Sequence, residues 1–316
     1  MRYVLHAEAA VGPGTGHVMR LSAIAEEMIS RNLEVIFVGD IGSIPWLENR
    51  ILGLGFSRVL FNVGDFFSDP GSDILVFDSY TRDIDDCFIS KLNWKKVVLI
   101  SDVTTPRYSA DLVIHPNLSE GQLIDTGGDL YSGPKYIPLR KTIKKVIYSR
   151  EVGSKLKILL VGGGTDPFNF VSSLALILSE SGCSFEAFLF THDISLALID
   201  NRFSVVEIGP DLDVLAETAD LVFTTASTTS LEFIAREMAV GIGCAVENQK
   251  NFYDGLKSSG AAAPIGKRVL NNWIFDAALI DKLISEAGLR TELRTKCKNF
   301  IDCDGSSRIV DLILNL

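Results

Sequence analysis

Short apolar runs alternate with amphipathic stretches along the whole chain. "YVLHA", "LEVIFVG", "DILVFD", "KKVVLIS" and "ADLVIH" read as strands, and "MRLSAIAEEMISR" and "DIDDCFISKL" between them have helical spacing. Strand and helix in alternation predict a parallel sheet covered on both faces. Around "SGPKYIPLRKTIKKVIYSREVGSK" the composition turns basic, polar and Gly/Pro-marked, so residues 140–155 read as a connection. The pattern then restarts with "KLKILLVGGG", a helix over Phe168–Ser181, "SFEAFLF", "FSVVEIG", a helix over Leu212–Ala219, "DLVFTT", another helix and "AVGIGCAV". The closing "WIFDAALIDKLISEAG", "LRTELRTKCKNFI" and "SSRIVDLILNL" predict helices, the last returning to the first half. The outline is α/β, in two similar domains, 1–145 and 146–316, each opening with a strand and a Gly-rich turn.

Composition narrows the class. With 316 residues, 47% of them hydrophobic, the chain can bury a large core. A formal net charge of -10 and the lack of a basic patch exclude a nucleic-acid protein. The five cysteines are scattered without a CxxC pair, which predicts idle thiols in a reducing compartment. A basic n-region with a long apolar stretch is lacking, as is any window of ~18 apolar residues, so neither a signal peptide nor a membrane span is predicted. The expected location is cytoplasmic.

Candidate chemistry gathers where strands end. "VGPGTGHVMR" follows the first strand, but the fingerprint G-x-G-x-x-G fails there: Gly12 and Gly14 fit, and the third position is His17. Asp40 ends the second strand, where a ribose-binding acid of a dinucleotide site belongs, yet an imidazole in place of the third glycine obstructs close helix–sheet packing. "GGGTDP" fails as well, because Pro167 takes that position. What remains is bare backbone at two helix N-termini, at Gly14 and Gly16 and at Gly163, Gly164 and Thr165, where amides bind anionic oxygens. An ordinary strand-to-helix turn needs only the glycines. His17 and Arg20, three apart on one helical face, point to chemistry. In "TTASTTSLEF", Ser227, Thr228 and Thr229 either cap a helix, Thr229 with Glu232 fitting a capping box, or hold a diphosphate with Glu232 on ribose hydroxyls. Asn248 and Gln249 in "CAVENQKNF" end a strand at the same sheet edge, where ligands of open α/β sheets bind.

"GTGHVMR", "FDSY", "GPKYIPLR", "GGGTDP", "ASTTSLEF" and "ENQ", in this order, resemble the nucleotide-sugar hydrolases of pseudaminic acid biosynthesis. That is the UDP-2,4-diacetamido-2,4,6-trideoxy-altropyranose hydrolase family, within the GT-B glycosyltransferase group. The resemblance runs from about Tyr3 to Gly260. It implies a GT-B-like fold, two Rossmann-like domains facing across a cleft, with the nucleotide held mainly by the C-terminal one. It also implies metal-independent cleavage of the bond between the anomeric carbon and the diphosphate, without a cofactor. Carried across, His17 matches the active-site histidine, and Gly14 and Gly16 match its turn. Tyr80 matches the tyrosine of an Asp-His-Tyr element, in which Ser79 here replaces the histidine. Asp102 opens a segment that normally carries a second acid and a histidine; Val103, Arg107 and Tyr108 stand there instead. With a longer tail, these departures suggest a different sugar or an acceptor other than water.

A histidine, with an ordinary pKa near ~6.5, can take a proton from water or a sugar hydroxyl at neutral pH. That role falls to His17, oriented by Asp78 or Asp102, while Arg20 anchors the turn or an acidic partner and helix N-termini hold the phosphates. The expected substrate is a UDP-linked amino or deoxy sugar. Competing readings are glycosyl transfer to a small acceptor, a non-catalytic nucleotide-sugar-binding protein and NAD-dependent oxidoreduction.

Overall fold

The computed structural model describes residues 1–9, 14–79, 86–101, 109–118, 128–148, 154–163, 166–207, 211–298 and 300–316. Seven strands form the first sheet: β1 (Tyr3–Ala7), β2 (Val35–Val38), β3 (Arg58–Leu60), β4 (Ile74–Asp78), β5 (Lys96–Ile100), β6 (Leu112–His115) and β7 (Asp129–Ser132). Their order is β3-β2-β1-β4-β5-β6-β7, every neighbouring pair parallel. Helices α1 (Gly16–Ser30) and α2 (Pro45–Gly53) follow β1 and β2. Tyr3, Leu5 and Ala7 of β1 meet Leu21, Ile24 and Met28 of α1 on one face, while Val4 packs with Phe66, Phe77 and Trp94 on the other. Burial on both faces is why these strands are continuous Val/Ile/Leu/Phe runs.

The second sheet repeats the plan with β8 (Leu156–Val161), β9 (Phe185–Phe190), β10 (Phe203–Val206), β11 (Leu221–Thr225), β12 (Val240–Cys244), β13 (Ala263–Val269) and β14 (Asn272–Phe275). The order is β10-β9-β8-β11-β12-β13-β14, parallel except for the β13–β14 hairpin. Its helices are α3 (Phe170–Ser179), α4 (Asp211–Ala216), α5 (Thr228–Ala235), α6 (Lys250–Ser259), α7 (Ala277–Ser285) and α8 (Ala287–Cys297). The last helix, α9 (Gly305–Leu314), buries Ile309, Val310 and Ile313 in the core of the first sheet. The chain accordingly divides into Met1–Lys141 with Asp302–Leu316, and Thr142–Ile301. The division falls a few residues before 145/146 because residues past Lys141 are tied to the second unit. Val146 N–H donates to the Arg236 carbonyl at 3.0 Å, and Lys145 pairs with Glu237 at 2.5 Å.

Two stretches differ from their sequence pattern. In "DIDDCFISKL", residues 83–85 lie outside the described ones, Cys87–Ile89 form a turn and Lys91–Asn93 a single 3-10 turn, not an α-helix. Side-chain bonds replace the helical ladder there: Phe88 N–H donates to Asp86, Asn93 Nδ2 to the Cys87 carbonyl and Trp94 Nε1 to the Phe88 carbonyl. "WIFDAALIDKLISEAG" splits into strand and helix. Trp273 and Phe275 stack at 5.4 Å and close on Phe170, which fixes them in β14, and Asp276 caps α7 by accepting the Leu279 amide. Among the described residues, no helix is long and apolar enough to cross a membrane.

Candidate active site

Each sheet has one point where successive crossovers leave in opposite directions. In the first it lies between β1, whose chain goes on to β2, and β4, whose chain goes on to β5; in the second it lies between β8 and β11. Such switch points open a crevice at the carboxyl edge of a parallel sheet. Gly14, Gly16, His17, Arg20 and Asp78 follow or end β1 and β4, Gly163 follows β8, and Ser227–Thr229 and Glu232 follow β11; Asn248 and Gln249 come after the next strand, β12.

In the first unit Gly14, at φ 90°, takes a left-handed conformation that a side chain would strain, and two residues later Gly16 starts α1. His17 and Arg20 on the first turns of α1 meet Asp78 at the end of β4. His17 Nδ1 lies 2.5 Å from Asp78 Oδ1; Arg20 donates Nε to Oδ2 and Nη2 to Oδ1, both at 2.8 Å. Asp78 is 1% exposed and Arg20 7%. A buried carboxylate gripped by a guanidinium is ionised and accepts only, so Nδ1 carries the proton of this contact. Arg20 Nη2 at 3.0 Å from Nδ1 is then a close neighbour, since two donors cannot bond each other. This tautomer puts the lone pair on Nε2, the nitrogen that can take a proton. Among the described residues, Asp78 is the acid in contact with His17. Tyr80 and Asp102 lie outside the described residues. Asp40 holds its own turn, accepting the Gly42 amide at 2.8 Å.

In the second unit the two helix N-termini differ. Asp166, in the left-handed region at φ 43°, turns its carboxylate onto the amides of Phe170 and Val171 at 2.9 and 3.0 Å. A Cβ on Gly162 would come within 2.1 Å of that carboxylate, so only glycine fits beneath it. Burial pushes the Asp166 carboxyl up to about 6, against the two amides. The amides of Phe170 and Val171 at the start of α3 are thus taken by the chain's own acid. Gly163 keeps a positive φ of 95° before it; Gly164 and Thr165 lie outside the described residues.

The N-terminus of α5 is open. Ser227 is the N-cap but makes no side-chain cap bond, its Oγ turning back to the Thr225 carbonyl at 3.4 Å. Among the described residues, the amides of Thr228 and Thr229 have no protein acceptor. Thr229 and Glu232 both sit inside the helix, so the capping box is not formed. Glu232 lies a turn further on, half-buried. After β12, Asn248 is exposed, while Gln249 accepts the Ala245 amide at 2.9 Å and ties its own turn. Among the described residues, no group of three or more His, Cys, Asp or Glu side chains is placed to hold a metal ion.

Comparison with known proteins shows the fold. The chain is similar along its length to MurG of Acinetobacter baumannii (TM-score 0.67, 14% identity, 100% of each chain). It is also similar to UGT89C1 of Arabidopsis thaliana complexed with UDP (TM-score 0.68, 10% identity, 98% of this chain and 99% of that one). A third likeness is to the spinosyn rhamnosyltransferase SpnG complexed with thymidine diphosphate (TM-score 0.63, 13% identity, 100% of each chain). At these identities the likeness shows the fold, which is the two-unit GT-B fold of glycosyltransferases. No family model and no curated protein matches the sequence.

Proposed function

We propose that the chain is a nucleotide-sugar hydrolase of GT-B fold, cleaving the anomeric C–O bond of a UDP-linked amino or deoxy sugar. The observation that carries this reading is the His17–Asp78 contact, with Arg20 holding Asp78 in place. His17 Nε2 takes a proton from water, the water oxygen forms a bond to the anomeric carbon, and the C–O bond to the diphosphate breaks with its electron pair leaving on the phosphate. Asp78 accepts Nδ1–H throughout and steadies the imidazolium that results. The open amides of Thr228 and Thr229 receive the phosphates, with Glu232 on the ribose and Asn248 nearer the sugar. Nucleoside diphosphates bound to two fold neighbours support a donor of this kind.

A second reading, transfer of the sugar to a small acceptor, is favoured by the neighbours being glycosyltransferases and by Ser79 and Val103 standing where the hydrolases carry other residues. The experiment is a screen of UDP- and TDP-sugars for diphosphate release, in H₂¹⁸O and without acceptor. Hydrolysis yields free sugar labelled at C1. Turnover that waits for an added acceptor replaces the first reading with the second, and no release from any sugar in either case removes both.

A further inference from the structure

Acids outnumber bases here by 40 to 30, and arginines find carboxylates. Among the described residues seven arginines do so, Arg2 and Arg20 among them. Arg268 does not. Its Nη2 donates to Asn271 Oδ1 at 2.9 Å, its guanidinium lies 5.0 Å from the centre of the Phe168 ring, and its Nε is buried without an acceptor. Asp166, two residues from Phe168, is turned away onto the α3 amides. Lys267 beside it likewise pairs with no carboxylate, its Nζ lying over the Tyr253 ring at 4.8 Å.

The position is informative. Gly243 pairs with Gly266 and Cys244 with Lys267, so Arg268 is the first residue of β13 beyond the carboxyl end of β12. Phe168, on which it rests, belongs to the loop that leaves β8 through Gly162 and Gly163. A planar fork held on an aromatic face, with a desolvated donor unsatisfied, is suited to an oxyanion supplied from outside the chain.

We propose that Arg268 is the counter-charge for the β-phosphate of the nucleoside diphosphate, with the α5 amides taking the α-phosphate. This rests on the nucleotide-sugar reading above. When the anomeric C–O bond breaks, its electron pair stays on a β-phosphate oxygen, and Arg268 stabilises that charge.

Titration calorimetry of UDP and UMP tests it on the intact chain. Arg268→Gln should weaken UDP roughly 10–100-fold and UMP less than about 3-fold, the scale of one charged hydrogen bond lost. Arg268→Lys, keeping charge but not the fork, should fall between. Equal weakening of UDP and UMP would mean that Arg268 only holds Phe168, and it overturns the proposal. Arg268→Met, which keeps the stem over the ring, repeats the comparison if the glutamine variant does not fold. If wild type binds neither UDP nor TDP, the nucleotide-sugar reading itself fails, an outcome separate from the loss of selectivity.

Discussion

Asp78 holds two neighbours of different consequence. Arg20 is a buried cation balanced by this carboxylate, whereas replacing His17 gives up one hydrogen bond. Asp78→Asn should therefore cost about 3–5 kcal/mol of stability by leaving Arg20 uncompensated. His17→Asn should cost about 1 kcal/mol. Denaturant melts of the two variants check this; equal losses would mean that the cluster's charge balance is not what secures β4 to α1. Asp166 gives a pH signature. Its carboxyl, raised to about 6 by burial, holds its proton more tightly folded than unfolded. Its contribution is thus fully present below the ordinary aspartate value of ~3.9 and is lost as pH rises through the folded value. The stability of wild type relative to Asp166→Asn should fall between pH ~4 and ~6. A difference constant with pH across that window would contradict the burial argument.

At the scale of elements, α3 and α5 start alike in sequence, each after an apolar strand and a run of small residues, yet one N-terminus is closed and the other open. The sequence shows the glycines but not the closure: Asp166 lies four residues before α3 and reaches its amides only because Asp166 and Asn169 are left-handed. If Glu232 holds the ribose as proposed, Glu232→Ala should weaken nucleoside diphosphate more than pyrophosphate. Equal weakening would leave Glu232 a helix residue only. Strands buried on both faces were legible as apolar runs, whereas β14 was not, because "WIFDAALI" carries helical spacing and stacking on Phe170 decides otherwise. The helix α9 is legible as amphipathic, and its partner is a core 280 residues away, joined also by Arg31 to Asp311. Removing residues 302–316 should expose Val18, Leu21 and Ile24 and lower the melting temperature of the first unit. An unchanged melt would show that α9 adds no stability there.

Across the whole molecule, two similar sheets each carry candidate residues at a switch point, the His17–Asp78 contact in one and the open α5 amides in the other. The repeat of strand, Gly-rich turn and helix was visible in the sequence, and so were His17, Arg20 and Ser227. Long-range partners were not: Arg20 and Asp78 are 58 residues apart, and Arg268 meets Phe168 only through the β13–β14 hairpin. In the proposed function binding and proton transfer fall to different units, and they should separate under mutation. The measurement is turnover of the best nucleotide sugar by His17→Asn, alongside its affinity for the nucleoside diphosphate. Turnover should fall roughly 10²–10⁴-fold, as an amide cannot accept the proton, with affinity almost unchanged. Near-normal turnover would contradict the role of His17 as base, and leave it a histidine that merely packs against Asp78.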